Sequence, residues 1–292
     1  MDPAQSHQVQ SKMSNNDSHL LPFKAVLIEC LDEQQNLIPE ATASGFLTEE
    51  DSRHYLYTCW HVVTGLNPQT LELPRTAMNR RFLRVSVQAM RDEGAIKAIG
   101  GLRTFTIPLY ESRDAILRPV WQQQSYHVPH TELNALGIYV PNKDAVRIEV
   151  WPTSSFWEHQ LIKPAEFLGL NTSLLACGEK ALIVGFPYGY SLRGEKFLTP
   201  IVLTRFIAGT SLLGNTPTVL EGFGAPGMSG GPVFVERNGD FQLFGLYAGT
   251  LYPDSARARP SPLTALGNVA DVTLLLNGAW LWVHEDFVPS PF

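Results

Sequence analysis

Apolar and polar positions alternate along most of this chain. Leu83, Val85, Val87 and Ala89 are apolar, with Arg84, Ser86 and Gln88 between them. Phe105, Ile107 and Leu109 repeat the pattern, as do Val146, Ile148 and Val150. A period of two sends successive side chains to opposite faces, so each run predicts a half-buried β-strand. ALIVGF at 181–186 and PIVLTRFIA at 200–208 predict further strands. Asn238-Gly239 lies between the apolar runs VFVE at 233–236 and FQLFGL at 241–246. Both turn residues tolerate positive φ, which predicts a tight hairpin. One helix is predicted near the C-terminus, at about 270–281, opened by Asp271 and interrupted by Asn277-Gly278.

Many short strands joined by frequent turns predict an all-β sandwich or barrel. The segment WPTSSFWEHQLIK at 151–163 breaks the alternation and is placed to join two halves. The expected layout is a flexible leader at 1–20, one half at 21–150, the linker at 151–163, a second half at 164–285 and a tail at 286–292. Each half then has roughly 110–130 residues, enough for one closed barrel of short strands. There is no internal repeat and no low-complexity tract.

Composition narrows the class. Of 292 residues, 44% are hydrophobic and 17% charged, which supports a sizeable core and argues against a disordered chain or a coiled coil. Net charge is −6, without the clustered positive charge that nucleic acid demands. Gly (23) and Pro (21) make the chain turn-rich, in keeping with short strands. Cys30, Cys59 and Cys177 are few and unpaired in spacing, so a reducing, cytoplasmic compartment is expected rather than a disulfide framework. The polar start gives no secretory pattern, and no apolar stretch approaches the roughly 20 residues that span a bilayer.

The sharpest chemical feature is Gly227-Met228-Ser229-Gly230-Gly231-Pro232, leading into Val233-Phe234-Val235. Glycines permit the tight backbone that exposes a serine hydroxyl, and they let the amides of Gly227 and Ser229 converge on one spot. A glycine-rich hairpin with an incidental serine is the plain alternative. The second feature is Tyr55-Leu56-Tyr57-Thr58-Cys59-Trp60-His61-Val62-Val63, an apolar strand ending in a histidine, with Ser44-Gly45-Phe46 upstream. A lone histidine beside apolar residues is ordinarily a boundary residue. The serine motif in the other half raises its interest, because a serine nucleophile needs a base.

These two motifs together resemble the chymotrypsin-like (trypsin-type) serine peptidases, in particular the intracellular bacterial kind without disulfides. Ile183-Val184-Gly185-Phe186-Pro187 and Gly245-Leu246-Tyr247-Ala248-Gly249 are similar to that family's second-barrel strands, and the likeness covers roughly residues 22–280. The resemblance implies two six-stranded antiparallel β-barrels with the site in the cleft between them. It implies Ser229 as nucleophile, His61 as general base and then acid, and an oxyanion hole from the Gly227 and Ser229 amides. It implies a protein or peptide substrate, no cofactor and no metal, and leaves room for a regulatory partner protein.

The third member of such a triad stands at the start of a strand reading Asp-apolar-Ala-apolar-apolar. The best match is Asn134-Ala135-Leu136-Gly137-Ile138-Tyr139-Val140, which puts an amide where a carboxylate belongs. Three readings stay open: Asp114 is the true member, although it sits in a turn-like Tyr110-Glu111-Ser112-Arg113-Asp114; Asn134 is native to a weakened or inactive peptidase; or Asn134 is an introduced Asp→Asn change. Glu132 is a lesser substitute. On either Asn134 reading the chain folds normally and cleaves slowly, or serves as a peptidase-like binding or scaffold protein without turnover.

In the resembled family the position of Phe223 forms the base of the specificity pocket, with Ala248, Gly249 and Thr250 as a wall. Phe223 argues against a buried acid for Lys or Arg and favours an apolar or small residue before the cleaved bond; ordinary core packing is the alternative. Met228 stands where secreted members carry an Asp that pairs with a new N-terminus, and a thioether makes no such ion pair. His54, His127, His130 and His159 repeat no metal-ligand spacing. Cys59 reads as a small apolar strand residue, and Trp280 and Trp282 as packing against the second barrel.

Overall fold

The computed structural model describes residues 15–66, 80–93, 96–113, 116–124, 144–151, 160–168, 175–189, 198–209, 218–222, 224–251, 266–271 and 280–282. It is predominantly β. The first half contributes β1 (Ala25–Leu31), β2 (Leu37–Glu50), β3 (Arg53–Thr58), the short helix α1 (Trp60–Thr64), β4 (Phe82–Glu93), β5 (Ile96–Pro108), β6 (Tyr110–Arg113), β7 (Ile116–Pro119), β8 (Trp121–Gln124) and β9 (Val146–Val150). β10 (Leu161–Ile162) follows the crossover. The second half holds β11 (Lys180–Gly185), β12 (Ile201–Gly209), β13 (Thr218–Leu220), β14 (Pro232–Arg237), β15 (Asp240–Leu251) and β16 (Leu266–Asp271), and β17 (Trp280–Trp282) ends the series.

The second half closes into a six-stranded barrel, β11-β12-β13-β16-β15-β14. The first half differs from the closed ring of six that the resemblance implies. Among the described residues it is a nine-stranded sheet, β17-β8-β9-β3-β2-β1-β4-β5 with β10 paired to β2. β5, at one end, approaches β8, the strand next to the other end, where Val120 N–H just before β8 donates to the Leu109 carbonyl just after β5 (3.0 Å).

The alternating runs become strands for the expected reason. Leu83, Val85, Val87 and Ala89 of β4 are all buried, as are Val146, Ile148 and Val150 of β9. On the polar face of β4, Ser86 and Gln88 are buried too, and the chain after the crossover covers Gln88. Gln160 Nε2 donates to the Gln88 carbonyl (2.6 Å), and Leu198 N–H donates to Gln88 Oε1 (2.7 Å). The hairpin forms as its two residues require: Asn238 (φ 53) and Gly239 (φ 83) join β14 to β15, with Arg237 opposite Asp240. One core cluster runs from β1–β4 through Val184, Phe186, Phe234 and Leu246, so apolar packing is continuous across the two halves.

Three expectations change. The helix expected at 270–281 has strand at both ends, since Ala270 and Asp271 belong to β16 and Trp280 and Leu281 to β17; residues 272–279 lie outside the described residues. β17 pairs with Gln122–Gln124 of β8, so the Trp280–Trp282 backbone joins the first half's sheet rather than the second barrel. The expected leader is partly built in as well. Asn15–Lys24 forms 3₁₀ turns, Leu20 and Leu21 are buried, and Lys24 reaches the crossover. Its Nζ donates to the Leu161 carbonyl (2.7 Å) and to both oxygens of Glu166 (3.0 and 3.2 Å). Glu166 also accepts from Lys163 N–H (2.7 Å), so both charges are satisfied out of water.

A buried pair costs most when one partner is removed, because the other charge is stranded. Lys24→Ala is therefore expected to lower the unfolding free energy by about 3–5 kcal/mol in urea titration. The double variant Lys24→Met/Glu166→Leu is expected to recover most of that loss.

Candidate active site

His61 sits in the first turn of α1, immediately after β3. Cys59 is the N-cap residue, and its side chain supplies no capping bond. Asp144, two residues before β9, does that work from a distance. Its Oδ1 accepts the His61 backbone N–H (3.0 Å) and its Oδ2 meets His61 Nδ1 (2.6 Å). One carboxylate thus fixes both the backbone and the ring of the same residue. A carboxylate only accepts, so Nδ1 carries the proton and Nε2 keeps its lone pair in neutral imidazole. The other end of α1 is also held. Gly65 N–H donates to the His61 carbonyl (2.8 Å), and Arg80 Nη1 donates to the carbonyls of His61 (3.0 Å) and Val62.

The sequence pattern points to Asn134 as the partner of His61; the structure places Asp144 there. Asn134, Glu132 and Asp114 lie outside the described residues. Asp144 had a legible signal. It opens Asp144-Ala145-Val146-Arg147-Ile148, directly before the alternating Val146, Ile148, Val150 run. That is an aspartate at the start of a strand, and β9 pairs with β3, the strand that delivers His61. Asn134-Ala135 matched the letters of the pattern more closely, and letters alone carry no pairing.

Ser229 is half-buried on the loop between β13 and β14. Two glycines shape that loop. Gly227 (φ +91) lies so close to the Phe186 carbonyl and the Tyr188 amide that a Cβ would collide with them. Gly230 (φ +85) presses against the Ser44 carbonyl and Thr58, leaving no room for a side chain. Thr58 is the last residue of β3, so this contact brings the serine loop against the corner that carries His61. Met228 is fully buried with Val233, Phe244 and Tyr247, which anchors the loop in the second barrel's core.

The loop's amides divide into two sets. Met228 N–H donates to Ala225 (3.0 Å), Gly230 N–H to Tyr247 (2.8 Å) and Gly231 N–H to Met228 (2.9 Å). The amides of Gly227 and Ser229 donate to no other described residue. Two donors without a partner among the described residues, one on Ser229 itself and one two residues before it, suit an oxygen that gains negative charge.

Ser44 of β2 joins these parts. Its N–H donates to the Ser229 carbonyl (2.9 Å) and its Oγ to the Gly227 carbonyl (2.7 Å). The same Oγ accepts from Phe186 N–H (2.9 Å), and its carbonyl accepts from Thr58 Oγ1 (2.9 Å).

Of the expected pocket, Phe223 lies outside the described residues. Ala248 is buried, Gly249 takes φ +118, and Thr250 Oγ1 meets the Tyr247 hydroxyl (3.1 Å). Tyr247 was not among the expected residues. Its ring packs against Gly224, and its hydroxyl accepts from Gly224 N–H (2.7 Å). Cys59, His61 and Asp144 place ligand-type atoms within 4.8 Å of one another, but each is already engaged. Burial, and next the Asp144 charge, push the Cys59 thiol well above its ordinary range, and it donates to the Tyr247 carbonyl (3.4 Å). Cys59 is thus a protonated packing residue, neither nucleophile nor ready ligand. Among the described residues no helix is long and apolar enough to cross a membrane.

No family model matches the chain, and no curated protein matches it.

The Asp144 clamp makes a spectroscopic prediction. Nitrogen-15 NMR of neutral His61 is expected to show the proton on Nδ1. In Asp144→Asn an amide N–H can face the ring instead, and the proton is expected on Nε2. An unprotonated Nδ1 in the unsubstituted chain contradicts the geometry.

Proposed function

We propose that this protein is a serine endopeptidase acting through Ser229, His61 and Asp144, on a chymotrypsin-like arrangement of two barrels. The observation that carries the proposal is the double contact of Asp144 with His61, just beyond the end of the strand against which the Ser229 loop packs. The closed six-stranded second half, and the approach of β5 to β8 in the first, support the two-barrel reading.

The chemistry follows from the residues. Ser229 Oγ attacks the scissile carbonyl carbon while its proton passes to His61 Nε2. Asp144 stabilises the resulting imidazolium without taking the proton. The carbonyl oxygen becomes an oxyanion and is met by the Gly227 and Ser229 amides. The C–N bond then breaks, the departing amine takes the proton from Nε2, and an acyl ester remains on Ser229. Water, deprotonated by the same nitrogen, hydrolyses that ester and restores the hydroxyl.

The binding-or-scaffold reading rested on a missing carboxylate, and Asp144 removes its motive. The site calls for neither cofactor nor metal in this scheme. The Tyr247 ring takes up space between Gly224 and Thr250, which favours a small residue before the cleaved bond. A regulatory partner protein and a cytoplasmic setting remain part of the proposal, carried by the family resemblance and the unpaired cysteines.

Hydrolysis of an unstructured protein substrate tests the assignment. Ser229→Ala is expected to abolish it. Asp144→Asn is expected to lower kcat by roughly 10⁴ while the fold persists. Asn134→Asp is expected to give no gain; a large gain there, with Asp144→Asn harmless, contradicts the assignment.

A further inference from the structure

A cavity of about 500 Å³ lies in the first half, where its sheet comes back on itself. Among the described residues β5 and β8 form no ladder and meet at the Val120–Leu109 bond. The missing ladder leaves the space. Its walls are residues 105–108 of β5, Val120 before β8, residues 148–151 at the end of β9, and Glu111 of β6. That end of β9 leads away from Asp144, and none of Ser229, His61 and Asp144 lines the cavity. The catalytic scheme leaves it unused.

The walls have a definite chemistry. Phe105, Ile107, Val120, Ile148 and Val150 supply apolar surface. Trp151 adds an indole, and it is 82% exposed, so it forgoes the burial by which a tryptophan ordinarily stabilises a fold. A concave, mainly apolar cavity of this size with few polar groups is the usual form of a small-molecule site. Its charged groups have one sign. Glu111 and Glu149 line it, and no cationic side chain does among the described residues.

Two arginines stand behind those carboxylates. Arg53 Nη1 pairs with Glu149 Oε2 at 3.5 Å, a long contact made by a largely exposed side chain, and such pairs are weak. Arg118 is opposite Glu111 in the pairing of β6 with β7. Neither arginine lines the cavity, so a ligand inside it meets the carboxylates first. An aromatic ring beside carboxylates favours a cation, which the ring attracts through its π-face and the carboxylates through charge.

We infer that this cavity is a binding site for a small organic cation with an apolar body, of the arylalkylamine class. The apolar walls and Trp151 take the body, and Glu111 and Glu149 take the ammonium group. The inference is independent of the peptidase reading, and a chain that hydrolyses nothing leaves it standing.

The indole N–H signals of the six tryptophans in a proton–nitrogen-15 NMR spectrum provide the test. The Trp151 signal is the one lost in Trp151→Phe. At pH 7, 4-phenylbutylamine is expected to shift it saturably, with a Kd of about 1 mM or tighter, as suits a ligand of about eleven heavy atoms. The neutral 4-phenylbutanol is expected to bind at least threefold more weakly, and the anionic 4-phenylbutyrate at least tenfold. The isosteric pair Glu111→Gln/Glu149→Gln is expected to weaken the amine at least threefold and leave the alcohol within twofold. No saturable shift of Trp151 by 10 mM amine, on the order of ten times that Kd, overturns the inference. So does a carboxylate ligand that binds as tightly as the amine, or an amine affinity unchanged in the double variant.

Discussion

The candidate site depends on the hydrogen-bonding of one buried serine. Ser44 spends its amide, hydroxyl and carbonyl on Ser229, Gly227, Phe186 and Thr58. Those partners belong to the serine loop, the end of β11 and the end of β3. Each bond contributes only about 0.5–1.5 kcal/mol net, but a buried donor or acceptor left unmatched costs more. The four bonds therefore hold as a set. They fix the loop of the second barrel against the strand that delivers His61, and apolar packing through Val184, Phe186 and Phe234 excludes water from the join. These contacts seat the loop of the half-buried Ser229 against the end of β3, the strand that leads into α1 and His61.

Asp144 shows how a single carboxylate can hold a helix start and a ring together. α1 begins without a capping side chain, and a helix start with free amides attracts an acceptor. Asp144 meets that need with one oxygen and orients the imidazole with the other.

Much of this architecture was legible beforehand where local physics decides it. The alternating runs around Val85 and Ile148 became strands, and Asn238-Gly239 became the two-residue turn that its tolerance of positive φ dictates. Gly227 and Gly230 were legible as special backbone positions, although only their neighbours explain why no side chain fits. What failed was long-range. No local pattern says that Trp280–Trp282 crosses back to β8, or that Lys24 finds Glu166. The contact of Asp144 with His61 went unread for the same reason. Asn134-Ala135 satisfied a string, whereas Asp144 satisfies a pairing: it precedes the strand hydrogen-bonded to the one that carries His61. Tyr247 escaped notice because its role comes from packing on Gly224, which sequence spacing does not reveal.

The central claim is that Ser229 is an activated nucleophile in the chain as it stands, with Asp144 in place. Intact-mass measurement after exposure to a fluorophosphonate tests it most directly, because the reagent needs the hydroxyl, its base and the oxyanion donors but no particular substrate. The account predicts one stoichiometric adduct, mapped to Ser229 and lost in Ser229→Ala. A folded protein that takes up no label, or labels elsewhere, contradicts it.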